Sequence, residues 1–199
     1  MEFANQKWFD RFDAIMAARG VQPSLIIPDA SGKPAAATTN GGLINPTEHD
    51  LYAGRTMYRF GNVLTNGRGM LATPVEGQWW IEEAEFKQIR RFAKAKMIGV
   101  PLAVRLLCSV PPEWSDMLVL VRVKLMQALK AYRGPGATVT RVNKVTGSQE
   151  NFAPLVDLRG TVIRQVYVPG LANPDLRRSA IFQTGATFFS PGEAGLPGR

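Results

Sequence analysis

The sequence predicts an α+β fold: a small mixed or antiparallel sheet with two main helices, plus an N-terminal amphipathic helix on a long loop. Three observations lead there. Two long runs place apolar residues at helical spacing, a β-rich run precedes them, and shorter β-rich runs divided by turn residues follow them. With 199 residues, 45% of them hydrophobic, the chain can bury a core of its own.

Residues 4–19, "ANQKWFDRFDAIMAAR", space Trp8, Phe12, Ile15 and Met16 as one helical face, and Gly20 stops the helix. Residues 1–20 are therefore read as an N-terminal helix. From 21 to 46 the composition turns to Pro, Ala, Ser, Thr, Asn and Gly, which predicts a linker or wrapping loop. On that reading residues 1–46 form an arm that docks on a protein partner or on a second copy of the chain.

The main domain is placed at 47–190. "LYAGRTMYRFG" (51–61) is its first strand, and "NVLTNGRGMLATPVEGQ" a glycine-punctuated loop. "WWIEEAEFKQIRRFAKAKMIG" is the clearest helix. Ile81, Phe86, Ile89, Phe92, Ala93 and Met97 share a face, Glu82, Glu83 and Glu85 lie early, and Lys94 and Lys96 lie late, as the helix dipole prefers. "VPLAVRLLCSV" fits a strand or a helix. "PPEWSDMLVLVRVKLMQALKAYRGPG" is read as the second long helix, with Trp114, Leu118, Val121, Leu125, Ala128, Leu129 and Tyr132 inward. "ATVTRVNKV", "GTVIRQVYV" and "AIFQTGATFF" are late strands, and 191–199 is expected to be a flexible tail.

The lone Cys108 cannot form an internal disulfide, and one histidine, His49, is too few for a Cys/His zinc site. No metal is expected, although a carboxylate-bound magnesium stays open. Without an eighteen-residue apolar run or the order of a secretory signal, the chain reads as soluble, with no membrane span. Its compartment is left between the cytoplasm and a phage or secreted assembly. The net charge of +8 and pI near 10.0 favour an anionic ligand.

"DLYAGRTMYRFG" resembles the opening strand of ADP-ribosyltransferases, where an aromatic-Arg-Gly or aromatic-His-Gly element grips the dinucleotide. "VIRQVYVPG" is similar to their late strand, in which a glutamate precedes an apolar triplet and a proline, and "RSAIFQTGATFF" fits the strand after it. The resemblance implies NAD as cofactor. It puts Arg55 or Arg59 on a phosphate or ribose of NAD, with Tyr52 and Tyr58 beside them, and Gln165 in the place of the catalytic glutamate. A guanidinium fork suits the first role. Gln165 is neutral, so the resemblance implies either transfer of ADP-ribose to a macromolecule or a retired active site. If the alignment is displaced, Glu150 or Asp157 supplies the acid.

Plainer readings stand beside these. Arg55 and Arg59 alternate with Met57 as the solvated face of a half-buried strand would. Gln165 reads equally as an ordinary strand residue, and His49 as a loop residue. Trp79-Trp80 is a platform for a ring or a core pair. Lys87, Arg90, Arg91, Lys94 and Lys96 contact phosphates or form a solvated face that includes the Glu83–Lys87 pair. Arg68 in "TNGRGM" lacks phosphate-loop spacing. Two other classes therefore remain: a structural or adaptor protein of a phage virion or secretion machine, and a basic nucleic-acid-binding domain.

Overall fold

The computed structural model describes residues 2–21, 40–62, 64–65, 71–72, 75–142 and 148–195. Within them the chain is α+β. In chain order the elements are α1 (Gln6–Phe9), α2 (Phe12–Ala18), β1 (Thr47–Leu51), β2 (Thr56–Gly61), β3 (Leu64–Thr65), β4 (Leu71–Ala72), β5 (Trp79–Glu82), α3 (Glu83–Lys96), α4 (Val100–Cys108), β6 (Val119–Leu125), β7 (Leu129–Pro135), β8 (Val139–Val142), β9 (Gln149–Phe152), β10 (Arg164–Tyr167), α5 (Pro174–Ala180) and β11 (Ile181–Phe188). Seven strands form one sheet in the order β1-β7-β10-β5-β2-β6-β11, every neighbour antiparallel. β3-β4 and β8-β9 are separate two-stranded ribbons.

The two faces of the sheet carry different cores. Leu51, Met57, Trp80, Val121, Val123, Leu129 and Val166 pack on one side with Leu176 and Ala180 of α5. Phe60, Ile81, Leu120 and Ile163 pack on the other against Phe86, Ile89 and Phe92 of α3 and Val104 and Leu107 of α4.

The helix expected over 112–134 is instead the β6-β7 hairpin. Its inward set fits two periods, but Val119, Val121 and Val123 are β-branched and alternate with Leu120, Arg122 and Lys124 on the other face, a pattern that suits a pleat. The ambiguous run at 100–110 supplies the second larger helix, α4, with Pro101 in its first turn. The strand expected over 51–61 is broken at Tyr52–Arg55, where Gly54 adopts φ 89° and its N–H bonds the Leu125 carbonyl. Trp79 and Trp80 belong to β5, and α3 begins at Glu83.

The N-terminal helix is two short helices, interrupted at Asp10 and Arg11, and it does not stand apart. Asn5 is fully buried. Its amide donates to the carbonyls of Lys130 and Pro169 while its oxygen accepts the Lys130 N–H. Phe9 stacks on Tyr132 with ring centroids 4.6 Å apart. Burial of these groups makes residues 2–21 part of the body. Of the expected linker, residues 40–46 run beside the sheet, with Asn40 exchanging hydrogen bonds with the Thr140 backbone and Ile44 donating to Pro135, while 22–39 lie outside the described residues. The expected tail is likewise held as far as residue 195, since a 3-10 turn at Gly192–Ala194 buries Ala194 and gives its carbonyl to Arg105. Among the described residues, no helix is long and apolar enough to cross a membrane.

Candidate functional site

β5 has four residues and serves both halves of the sheet. Trp79 and Trp80 pair with Tyr167 and Val166 of β10, whereas Ile81 and Glu82 pair with Tyr58 and Met57 of β2. Both neighbours run antiparallel to β5. The end of β2 and the start of β10 therefore have no ladder partner on β5, and the sheet opens between them. A cavity of about 500 Å³ lies here, lined by Tyr58 to Asn62, Trp79 to Ile81 and Gln165, with Cys108, Ser109 and Trp114 from α4 and the segment after it. This volume falls in the range of small-molecule sites.

Arg59 replaces the missing ladder with its side chain. Nη1 donates to the Trp79 carbonyl at 2.8 Å and Nη2 to the Glu76 carbonyl at 3.2 Å. Burial lowers the guanidinium pKa to about 10, so it stays charged at neutral pH. The guanidinium passes over Gly77, where any Cβ would collide with it. Gln165 is held from the other side: its Nε2 donates to the Cys108 carbonyl at 3.1 Å, and a Cβ on Gly136 would press on that nitrogen. This bond fixes which end of the amide is the acceptor. The Cys108 thiol is wholly buried and pushed up to about 12, which makes it inert as a nucleophile.

The structure thus brings Arg59, Tyr58 and Gln165 into one cavity and leaves Arg55 and Tyr52 outside it. Arg55 bonds Glu82 at 2.5 Å and lies over the Tyr52 ring, 5.6 Å from its centroid. Glu150 pairs with Arg141 at 2.7 Å, and Asp157 caps a turn by accepting the N–H groups of Arg159 and Thr161. Neither acid lines the cavity. Among the described residues, its one lining carboxylate is Glu76, which bonds Arg177 at 3.1 Å. Trp79 and Trp80 both line the cavity, and Trp80 is buried. Lys87, Arg90, Arg91, Lys94 and Lys96 are exposed on α3, and Arg68 lies outside the described residues. Among the described residues, no three His, Cys, Asp or Glu side chains converge as a metal-holding group.

No family model matches the chain, and no curated protein matches it. Solved structures do match. One is Tne2 in complex with Tni2, with 12% identity over 72% of this chain and 92% of that one, at a TM-score of 0.40. Another is Rhs1-CT in complex with its cognate immunity protein RhsI1, with 8% identity over 90% of this chain and 97% of that one, at a TM-score of 0.43. Neither is described as an ADP-ribosyltransferase.

His49 and Arg55 meet in a charge network away from the cavity. Glu82 takes His49 Nε2 at 3.0 Å, Arg55 at 2.5 Å and Arg133 at 3.2 Å, and Arg133 also pairs with the buried Glu85. Burial works against ionising Glu82, but the bonds from His49 and Arg55 and the charge of Arg133 outweigh it, and the net pKa is lowered. A carboxylate with a lowered folded pKa stabilises the protein above its unfolded value, about 4.3, and loses that contribution as pH falls through the folded value. Glu82→Gln is expected to lower the melting temperature at pH 7 and to approach wild type on acidification below about pH 4. Melting curves from pH 7 to pH 3 check this, and a gap that stayed constant with pH would refute it.

Proposed function

We propose that the cavity binds NAD and that the protein is an ADP-ribosyltransferase-like enzyme that releases nicotinamide with water as the acceptor. The observation that carries this reading is the convergence of Arg59 and Gln165. They come from two motifs far apart in sequence, and they line one cavity at the opening of the sheet. Trp79 adds an aromatic side chain to the wall, while the Tyr58 ring is stacked on Phe86 with centroids 4.0 Å apart.

The chemistry fits a site without a free carboxylate. The bond from ribose to nicotinamide breaks as the pyridinium leaves neutral, so the leaving group needs no acid. The ribose becomes oxocarbenium-like. A fixed amide oxygen, oriented by the Cys108 carbonyl, presents the negative end of its dipole to that charge and can position a water molecule. Water attacks as it stands and passes its proton to solvent once the C–O bond forms, whereas a guanidinium acceptor on a macromolecule must lose a proton before it can attack, and Glu76 is engaged with Arg177. Water is therefore the better acceptor.

Calorimetric titration with NAD, followed by mass spectrometry for free nicotinamide, tests the reading. Gln165→Ala is expected to reduce nicotinamide release about a hundredfold with a small change in NAD affinity. Arg59→Lys keeps the charge and removes the fork, and should weaken NAD binding about tenfold. A wild-type protein that binds no NAD would end this reading; one that binds without release would end its catalytic half.

A further inference from the structure

The sheet has two edges, and they are built differently. β1 carries Glu48, His49 and Asp50, and Lys130 pairs with both acids, so charge guards that edge. β11 is eight residues long, "IFQTGATF", without a charged residue or a proline. Its inner side pairs with β6, and among the described residues no strand covers its outer side. The Phe189 N–H bonds the Leu118 carbonyl, and the Met126 N–H bonds the Ala180 carbonyl. Backbone groups alternate in direction along an antiparallel strand, so those of Gln183, Ala186 and Phe188 turn outward, away from β6. A bare edge of this kind is a template for a further strand.

The surroundings of the edge select the strand that fits it. A groove of about 520 Å³ lies between β11 and α3, lined by Gly185 to Thr187 of the edge with Arg90 of α3 and Arg122 of β6. Arg122 Nε donates to Thr184 Oγ1 at 3.0 Å, which lays the guanidinium across β11 where Gly185 has no side chain to block it. Lys124, next on the same face of β6, stands opposite Phe182, which is 60% exposed. Among the described residues no acid lines the groove, and none of Arg90, Arg122 and Lys124 makes an ion pair. We propose that β11 is the docking edge for an acidic extended segment of a partner protein, which joins the sheet as an eighth strand and sets alternate carboxylates against Arg122 and Arg90. Every second side chain of an added strand lies on the α3 side, and a guanidinium there can grip a carboxylate through two bonds. A polynucleotide supplies the charge but no N–H and C=O groups at strand spacing. A second copy of the chain would bring a net charge of +8 against +8.

The probe is an acetylated and amidated peptide of alternating glutamate and valine, about as long as β11. Two relatives serve as controls: one with glutamine in place of glutamate, and one of equal charge with two prolines at its centre. Binding is read by the anisotropy of a fluorescent label at low salt, and amide exchange by NMR. The alternating peptide should bind, and each control should bind about tenfold more weakly. The amides of Gln183, Ala186 and Phe188 should exchange more slowly in its presence, while those of β1 stay unchanged. Arg122→Gln and Arg90→Gln should each weaken binding about threefold, the size expected for one exposed charge pair. No binding by the alternating peptide would overturn the proposal. Equal binding by the proline peptide would overturn it too, because charge would then act without strand pairing, as would protection at β1 in place of β11. A chain already dimeric, with its β11 amides protected before peptide is added, would make a second copy the occupant. A single-stranded oligonucleotide of equal charge that bound more tightly and displaced the peptide would assign the patch to nucleic acid. Either result would end the acidic-strand reading.

Discussion

Replacing Arg105 with methionine should cost about 3–5 kcal/mol of stability, the size expected when one partner of a buried charged network is removed. The residue is 2% exposed, in the middle of α4, and its guanidinium feeds backbone carbonyls alone: Nε donates to Ala194, Nη1 to Val110, and Nη2 to both Ser115 and Asp116. Burial pulls its pKa down, and the charges of Asp116 and Glu113 offset part of that. Methionine keeps the apolar stem but leaves four carbonyls without their donor. A buried carbonyl that loses its partner costs about 1–3 kcal/mol, less where water reaches it, so the sum lies at the upper end for a single substitution. Lysine should recover less than half, because a compact ammonium cannot span carbonyls that a planar fork reaches. Denaturant midpoints measure this, and a loss below about 1 kcal/mol would show that these carbonyls find water instead. The same bonds hold the segment bearing Val110, Ser115 and Met117 against the cavity, so ligand affinity should fall with stability.

The residues that read clearly in the sequence are those whose role is local. α3 was legible because its apolar face, early glutamates and late lysines all point to one helix, and the burial of Phe86, Ile89 and Phe92 follows that face. The stretch around Val121 and Leu129 was not. Seven apolar positions fit a helical face there, and only pairing with β2 and β11 on one hairpin arm and β1 and β10 on the other selects the strand period. Arg105 was invisible for a related reason, because Ala194 lies far along the chain and the nearer carbonyls of Val110, Ser115 and Asp116 meet it only once the segment after α4 turns back on the helix. At the candidate site, residues from two motifs far apart in sequence, Arg59 and Gln165, line one cavity. Which of Arg55 and Arg59 lines the cavity needed the sheet, since both sit on an apparent strand with the same parity. Glu82 decides it by drawing Arg55 into a charge network.

Gly77→Ala should abolish most of the activity at some cost in stability, and it tests the placement of Arg59 without touching that residue. A Cβ at position 77 would occupy the space of the Arg59 guanidinium. The backbone there is anchored, since the Gly77 carbonyl accepts the indole N–H of the buried Trp80 at 3.0 Å, so the flexible arginine end must move instead. As it swings away it gives up its bonds to the Trp79 and Glu76 carbonyls, and its charge leaves the position the cavity wall had set. Misplacing a positioning group by about an ångström can cost a hundredfold in rate, and nicotinamide release should fall by about that much. The melting temperature should fall as well, because the backbone at Gly77 has φ 158° and two carbonyls lose the buried guanidinium, so the activity loss is read at a temperature well below the transition. Because both changes act through one guanidinium, the Gly77→Ala, Arg59→Lys double variant should be no worse than Gly77→Ala alone. Additive losses would mean that Gly77 acts by another route, and full activity in the single variant would remove Arg59 from the site.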